Sequence, residues 1–211
     1  MSKPTLHGPG FSTYVRSVRI TLAEKGVEYD FNEFNFLEGW PDGYEKLHPF
    51  MKVPAFEHDG LALYETPAIL VYINAAFDGP ALLPEQPAMR AKTLQAVNVV
   101  DNYAYDAIIT RTFIQRALVP KLGGESNEAM IEDAQGDCQR AISVLDAMVS
   151  GQDYFGGDNV SLADFHVTPV LHYASQIPEG QTLLGQAPAL TAWMERMSAR
   201  DSIASTVPSL G

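Results

Sequence analysis

One cysteine in 211 residues, Cys138, leaves no intrachain disulfide framework and no zinc site built from several thiolates. That usage fits a reducing compartment. Positive charge is scarce too: 14 lysines and arginines stand against 26 aspartates and glutamates, for a formal net charge of −12. A nucleic-acid backbone or an anionic membrane would be repelled at a distance, and neither is expected as a partner. No apolar run reaches the length of about 18 residues that a membrane-spanning helix needs. The start MSKPTLHGPG carries neither the basic nor the apolar region of a secretory signal, so the expected location is cytoplasmic. The histidines, at 7, 48, 58, 166 and 172, contain no pair at the i, i+4 spacing of a helical metal site, and no metal is expected.

What the chain does have is 46% hydrophobic residues, enough to bury a sizeable core in one large or two small domains. Thr5 to His7 is a short apolar start. Ser12 then opens a helical pattern, with Val15, Val18, Leu22 and Ala23 on one face and Gly26 closing it. Tyr29 to Phe36, aromatic at near period two, reads as a second strand and completes a βαβ unit. Ala55 to His58 and Leu61 to Tyr64 flank Asp59-Gly60, a hairpin turn, and Thr66-Pro67 starts another helix. Asp78 to Pro87 holds three prolines and no helical period, and strand signals vanish after it. The expected organisation is a domain over 1–78, a linker over 79–87 and an all-helical domain over 88–211. Helices are predicted over Pro87 to Val119, Ser126 to Val149, Leu162 to Tyr173 and Pro188 to about Ala199. The second shows the clearest stripe: Ile131, Ala134, Cys138, Ala141, Leu145 and Met148. Cys138 on that stripe reads as a small core residue.

Three segments could carry chemistry. In Gly10-Phe11-Ser12-Thr13-Tyr14 a hydroxyl stands at a helix N-cap, where free backbone donors and the positive dipole end favour an anion such as a thiolate. Taken alone, Ser12 would be read as a plain cap. Lys52-Val53-Pro54 places proline at a strand entrance. Base rates favour a trans bond there, and a cis bond would turn the Val53 backbone toward an extended peptide. Glu65-Thr66-Pro67 offers a carboxylate and a hydroxyl ahead of a helix, with Thr66 as a cap; such an end could hold a ligand carboxylate and ammonium.

Together these segments resemble the cytosolic glutathione transferases of the serine type. Ser12 with Arg16, Val18, Arg19 and Leu22-Ala23-Glu24-Lys25-Gly26 looks like the family's first helix. His48-Pro49-Phe50-Met51-Lys52-Val53-Pro54-Ala55-Phe56 is similar to its Asn-Pro-Phe-Gly-x-Val-Pro-Ala segment, and Glu65-Thr66-x-Ala68-Ile69 to its Glu-Ser-x-Ala-Ile helix start. Ser161-Leu162-Ala163-Asp164 matches its capping box, a structural device. His48, Met51 and Tyr14 depart from the family pattern; the Pro-Phe-x-x-Val-Pro run looks most like the phi class and its bacterial relatives.

The resemblance implies an α/β thioredoxin-like N-terminal domain (βαβ-ββα) followed by an all-α C-terminal domain, glutathione as co-substrate and a homodimer with Phe50 plugging into its partner. It implies that Ser12 donates a hydrogen bond to the glutathione sulfur, with Thr13 or Tyr14 as substitutes. Lys52, Val53, Pro54, Glu65 and Thr66 would hold the tripeptide. A small hydrophobic electrophile would meet Phe11, Tyr14 and the Tyr103, Asp106, Thr110 and Phe113 series of the long helix between the domains, or those aromatics would merely pack a core. Two alternatives use the same fold: a glutathione-dependent isomerase, and a non-catalytic binding protein. A thiol-disulfide reductase is disfavoured by the lack of cysteine near position 12.

Overall fold

A computed structural model describes residues 2–208. These fall into two compact units, one from the N-terminal residues through Ala81 together with the segment that follows Ser198, the other Leu82–Ser198. The sequence boundaries 1–78 and 88–211 place the C-terminal segment differently: after Ser198 the described chain packs with the first unit. Residues 1 and 209–211 lie outside the described residues.

The first unit contains β1 (Thr5–His7), α1 (Thr13–Glu24), β2 (Asp30–Asn32), a 3-10 turn at Tyr44–Lys46, β3 (Ala55–His58), β4 (Leu61–Tyr64) and α2 (Thr66–Ala76). The sheet order is β2-β1-β3-β4, with β1 and β2 parallel across the α1 connection and β3 antiparallel to both β1 and β4. This is the expected thioredoxin-like βαβ-ββα arrangement. α1 buries Val15, Val18, Ile20 and Leu22, and α2 packs beside it with Ile69, Leu70 and Ile73 buried. The β3–β4 hairpin follows from its turn: Asp59 and Gly60 both take positive φ (48° and 81°), as a two-residue turn matched to strand twist requires. The aromatic run beginning at Tyr29 yields a strand of only three residues. From Glu33 the chain leaves the sheet, and its rings pack on one another instead.

The second unit is helical, and no strand occurs in it among the described residues. α3 (Pro87–Val99) continues into a π-helical segment (Val100–Leu118) and a last turn, α4 (Val119–Lys121). There follow α5 (Glu128–Val149), α6 (Leu162–Ala174), α7 (Pro178–Leu184) and α8 (Pro188–Ser198). α9 (Asp201–Ala204) belongs to the first unit and packs on α1. α5 buries its predicted stripe except that Val149 rather than Met148 completes it. At the start of α6 the Ser161 N–H and hydroxyl each lie 2.7 Å from Asp164 Oδ2, while Trp193 Nε1 and the Phe155 N–H reach Oδ1 at 2.7 and 3.0 Å. Asp164 thus ties α6, α8 and the preceding loop together. No helix among the described residues is long and apolar enough to cross a membrane.

Candidate functional site

Strand register brings the three chemistry-bearing segments to one end of the sheet. His7 pairs with Ala55, and Ala55 with Tyr64. The C-terminal end of β1, the N-terminal end of β3 and the C-terminal end of β4 therefore lie side by side. The chain leaving β1 runs through Gly8 to Ser12, the chain entering β3 is Lys52-Val53-Pro54, and the chain leaving β4 is Glu65-Thr66. Gly8 is the point of closest approach. A Cβ there would stand 2.6 Å from a Val15 methyl and 3.1 Å from the Val53 Cβ, and its φ of 138° disfavours any side chain.

Ser12 caps α1 in extended conformation (φ −67°, ψ 130°), and its Oγ accepts from the Val15 N–H at 3.4 Å. A hydroxyl that accepts one bond still has its own hydrogen to donate. The side chain is half-buried. Thr13 is buried, with no partner for its Oγ1.

The Val53–Pro54 bond is cis, against the base-rate expectation. Among the described hydrogen bonds none uses the Val53 N–H or C=O. The residue before it is fixed: the Tyr44 hydroxyl donates to the Lys52 carbonyl at 2.8 Å. Burial pushes the Tyr44 phenol well above its usual range, so it stays a donor. Lys52 itself is exposed.

At α2 one detail corrects the sequence reading. Glu65, not Thr66, occupies the cap position, with positive φ (69°) and no side-chain capping bond, and Thr66 is the first helical residue. The Glu65 carboxylate is exposed and Thr66 is buried. The N–H groups of the first helical turn have no partner within the helix. His48 is buried against Tyr64, ring centroids 5.0 Å apart, with Nδ1 unpartnered. Burial lowers the pKa of this imidazole, nearby Lys52 adds to that and Glu65 opposes it, leaving a neutral ring at pH 7.

A ring series that sequence reasoning did not identify starts beside Ser12. Phe11 meets Phe36 edge-on at 5.7 Å, Phe36 stacks on Trp40 at 5.6 Å, and Trp40 meets Tyr44 at 5.1 Å. The only sequence signal was the aromatic density of residues 29–36, which reads equally as a strand. Tyr14 is half-buried next to this series in sequence.

On the π-helical segment, Tyr103 is exposed, Asp106 is held by Arg111 at 2.8 Å, and Thr110 is exposed. Phe113 is buried and stacks on Tyr173 at 4.4 Å. These four thus do not share one environment. Steps of three and four define a face only on an α-helix, and i→i+5 winding rotates that face. No group of three or more His, Cys, Asp or Glu side chains that could hold a metal occurs among the described residues.

The thioredoxin-like unit thus carries a hydroxyl at its first helix N-terminus, a cis-proline segment and the start of α2 side by side at one end of its sheet. Residues 6–81 match the family described as "Glutathione S-transferase, N-terminal domain" and residues 94–201 match "Glutathione S-transferase, C-terminal domain". A glutathione S-transferase of Hyoscyamus muticus is 28% identical over 199 residues, covering 92% of this chain and 93% of its own. The structure of glutathione S-transferase III in apo form superimposes with a TM-score of 0.87 at 26% identity, covering 100% of both chains. Maize glutathione S-transferase I in complex with an atrazine glutathione conjugate gives 0.84 at 25% identity, covering 97% of this chain and 96% of that one. The chain belongs to the glutathione S-transferase family.

Proposed function

We propose that Ser12 activates glutathione by donating a hydrogen bond to its sulfur, and that the exposed backbone of Val53 and the start of α2 hold the rest of the tripeptide. The activity is that of a glutathione transferase: a thiolate attacks an electrophilic carbon, the S–C bond forms and the leaving group departs with its electron pair. A free thiol with a pKa of about 8.5 is only about 3% ionised at neutral pH, so thiolate supply limits the uncatalysed reaction. Lowering that pKa by about two units requires about 2.7 kcal/mol of preference for the anion. A charge-assisted hydrogen bond and a helix N-terminus together can supply it. The observation that carries this reading is the convergence of Ser12, Val53 and Glu65-Thr66 at one end of the sheet.

In this arrangement Val53 pairs with the cysteinyl backbone of glutathione, as an added strand pairs with a sheet edge. Glu65 accepts from the γ-glutamyl ammonium, Thr66 donates to its carboxylate, and Lys52 reaches the glycyl carboxylate. Phe11 and Tyr14, flanking Ser12 in sequence, offer apolar surface to the electrophile. We further propose a cytosolic homodimer in which Phe50, 67% exposed, inserts into the partner.

Retention on glutathione-agarose, followed by conjugation of a chloronitrobenzene, tests the reading. Binding with turnover is the expected result. A protein that passes straight through the resin would overturn the tripeptide site, and binding without conjugation would overturn the transferase chemistry.

A further inference from the structure

The loop that delivers Ser12 is held from outside by a side chain that the family reading leaves without a role. Ser12 N–H donates to the Pro9 carbonyl at 3.1 Å, so Pro9-Gly10-Phe11-Ser12 is a closed turn whose central residues set where the Ser12 hydroxyl stands. Gly10 sits inside that turn, and its N–H donates to Glu33 Oε1 at 2.9 Å. The contact depends on glycine: a Cβ at residue 10 would lie 2.7 Å from Glu33 Oε1 and 3.5 Å from Arg19 Nη1. One residue before Glu33, the Asn32 carbonyl accepts from the Gly8 N–H at 3.2 Å. The end of β2 therefore grips the loop twice, by backbone at Gly8 and by a carboxylate at Gly10. Arg19 donates through Nε to the Tyr29 hydroxyl at 3.2 Å and lies over the Phe31 ring at 5.0 Å, which fixes its guanidinium beside the same turn.

We propose that Glu33 is a positioning residue for thiolate formation, holding the Pro9–Ser12 turn so that the Ser12 hydroxyl meets the glutathione sulfur. Resting on the reading of Ser12 as the thiolate donor, the inference adds the element that fixes the donor's place. Its physical content is an opposition. The hydrogen bond to Gly10 N–H serves the thiolate by geometry, because a catalytic donor misplaced by about 1 Å can lose up to about a hundredfold in rate. The negative charge of the same carboxylate acts against a second anion nearby. Glutamine keeps the acceptor and removes the charge; alanine removes both. The two variants are therefore expected to move the thiol pKa in opposite directions.

The experiment is a pH titration of the thiolate absorbance of enzyme-bound glutathione, with kcat and KM for glutathione, on the whole protein as wild type, Glu33→Ala, Glu33→Gln and Ser12→Ala. In Glu33→Ala the bound thiol pKa should rise by about half a unit or more, with kcat down about tenfold at neutral pH and KM for glutathione little changed. Glu33→Gln should restore most of that rate with a bound pKa below the wild-type value. A Glu33→Ala protein with wild-type bound pKa and kcat overturns the proposal, and so does a Glu33→Gln protein as impaired as alanine. Ser12→Ala separates the two levels. If it raises the bound pKa while the Glu33 variants do not, only the role of Glu33 fails; if it leaves the pKa unchanged, the thiolate reading fails and this inference with it.

Discussion

Cys138 lies 3.5 Å from the Thr112 hydroxyl inside the helical unit, and burial pushes its thiol up from the usual range. As the chain's one thiol it reports on local opening without interference. Its reaction with an aromatic disulfide reagent should be slow in the native protein and complete after unfolding; fast native labelling would show that the α5 stripe is not closed. At the proposed glutathione site the corresponding single-residue test falls on Glu65, whose carboxylate is exposed and makes no capping bond. Glu65→Gln should raise KM for glutathione roughly tenfold to a hundredfold, the loss of one hydrogen bond between charged groups, with kcat little affected. Steady-state kinetics with varied glutathione decide it, and a fall in kcat alone would move Glu65 from binding to chemistry. The role of Glu33 was hidden in the sequence for a physical reason: a lone acidic residue at a strand end carries no periodic signature, and its partner is a backbone N–H.

Two elements depend on single carboxylates, one buried and one part-buried. Asp164 gathers four donors from three parts of the helical unit, and Asp164→Ala would leave those donors without a partner. A loss of about 3 kcal/mol or more is expected from denaturant titration; a change below about 0.5 kcal/mol would contradict the account. Glu24 joins α1 to α9: Arg200 donates to it at 2.6 and 2.8 Å, and Ser202 at 2.5 Å. Burial alone would push Glu24 up, but these bonds together hold it below the usual carboxylate range. Its stabilising contribution is full above the unfolded value of about 4.3 and is lost as pH falls through the lower folded value. The wild type should therefore lose more stability on acidification below about pH 4.3 than Glu24→Gln does. Legibility followed element length and turn chemistry. The hairpin bounds at Ala55–His58 and Leu61–Tyr64 were readable because Asp59-Gly60 admits one kind of turn. α7 and α9, at 7 and 4 residues, are too short to show a period. The π-helical winding of Val100–Leu118 was not readable, because i→i+4 and i→i+5 helices draw on the same residues.

For the molecule as a whole, the order of elements and the family followed from three short motifs, while partner contacts leave only indirect marks on a sequence. Phe50, proposed above to meet the partner, is an exposed ring whose centroid lies 6.1 Å from that of Tyr64. Sedimentation should give a dimer at micromolar concentration, and Phe50→Ala should shift it toward monomer; a monomeric wild type would refute the dimer. The central claim is more specific than assembly or fold: the helix start at residue 12 keeps a tripeptide sulfur anionic at neutral pH. Ultraviolet titration of bound glutathione, in wild type and in Ser12→Ala, measures it directly. The account predicts a bound thiol pKa about two units below the free value of about 8.5, returning most of the way in the variant. An unshifted pKa in the wild type, or the same lowered pKa in both proteins, would contradict it.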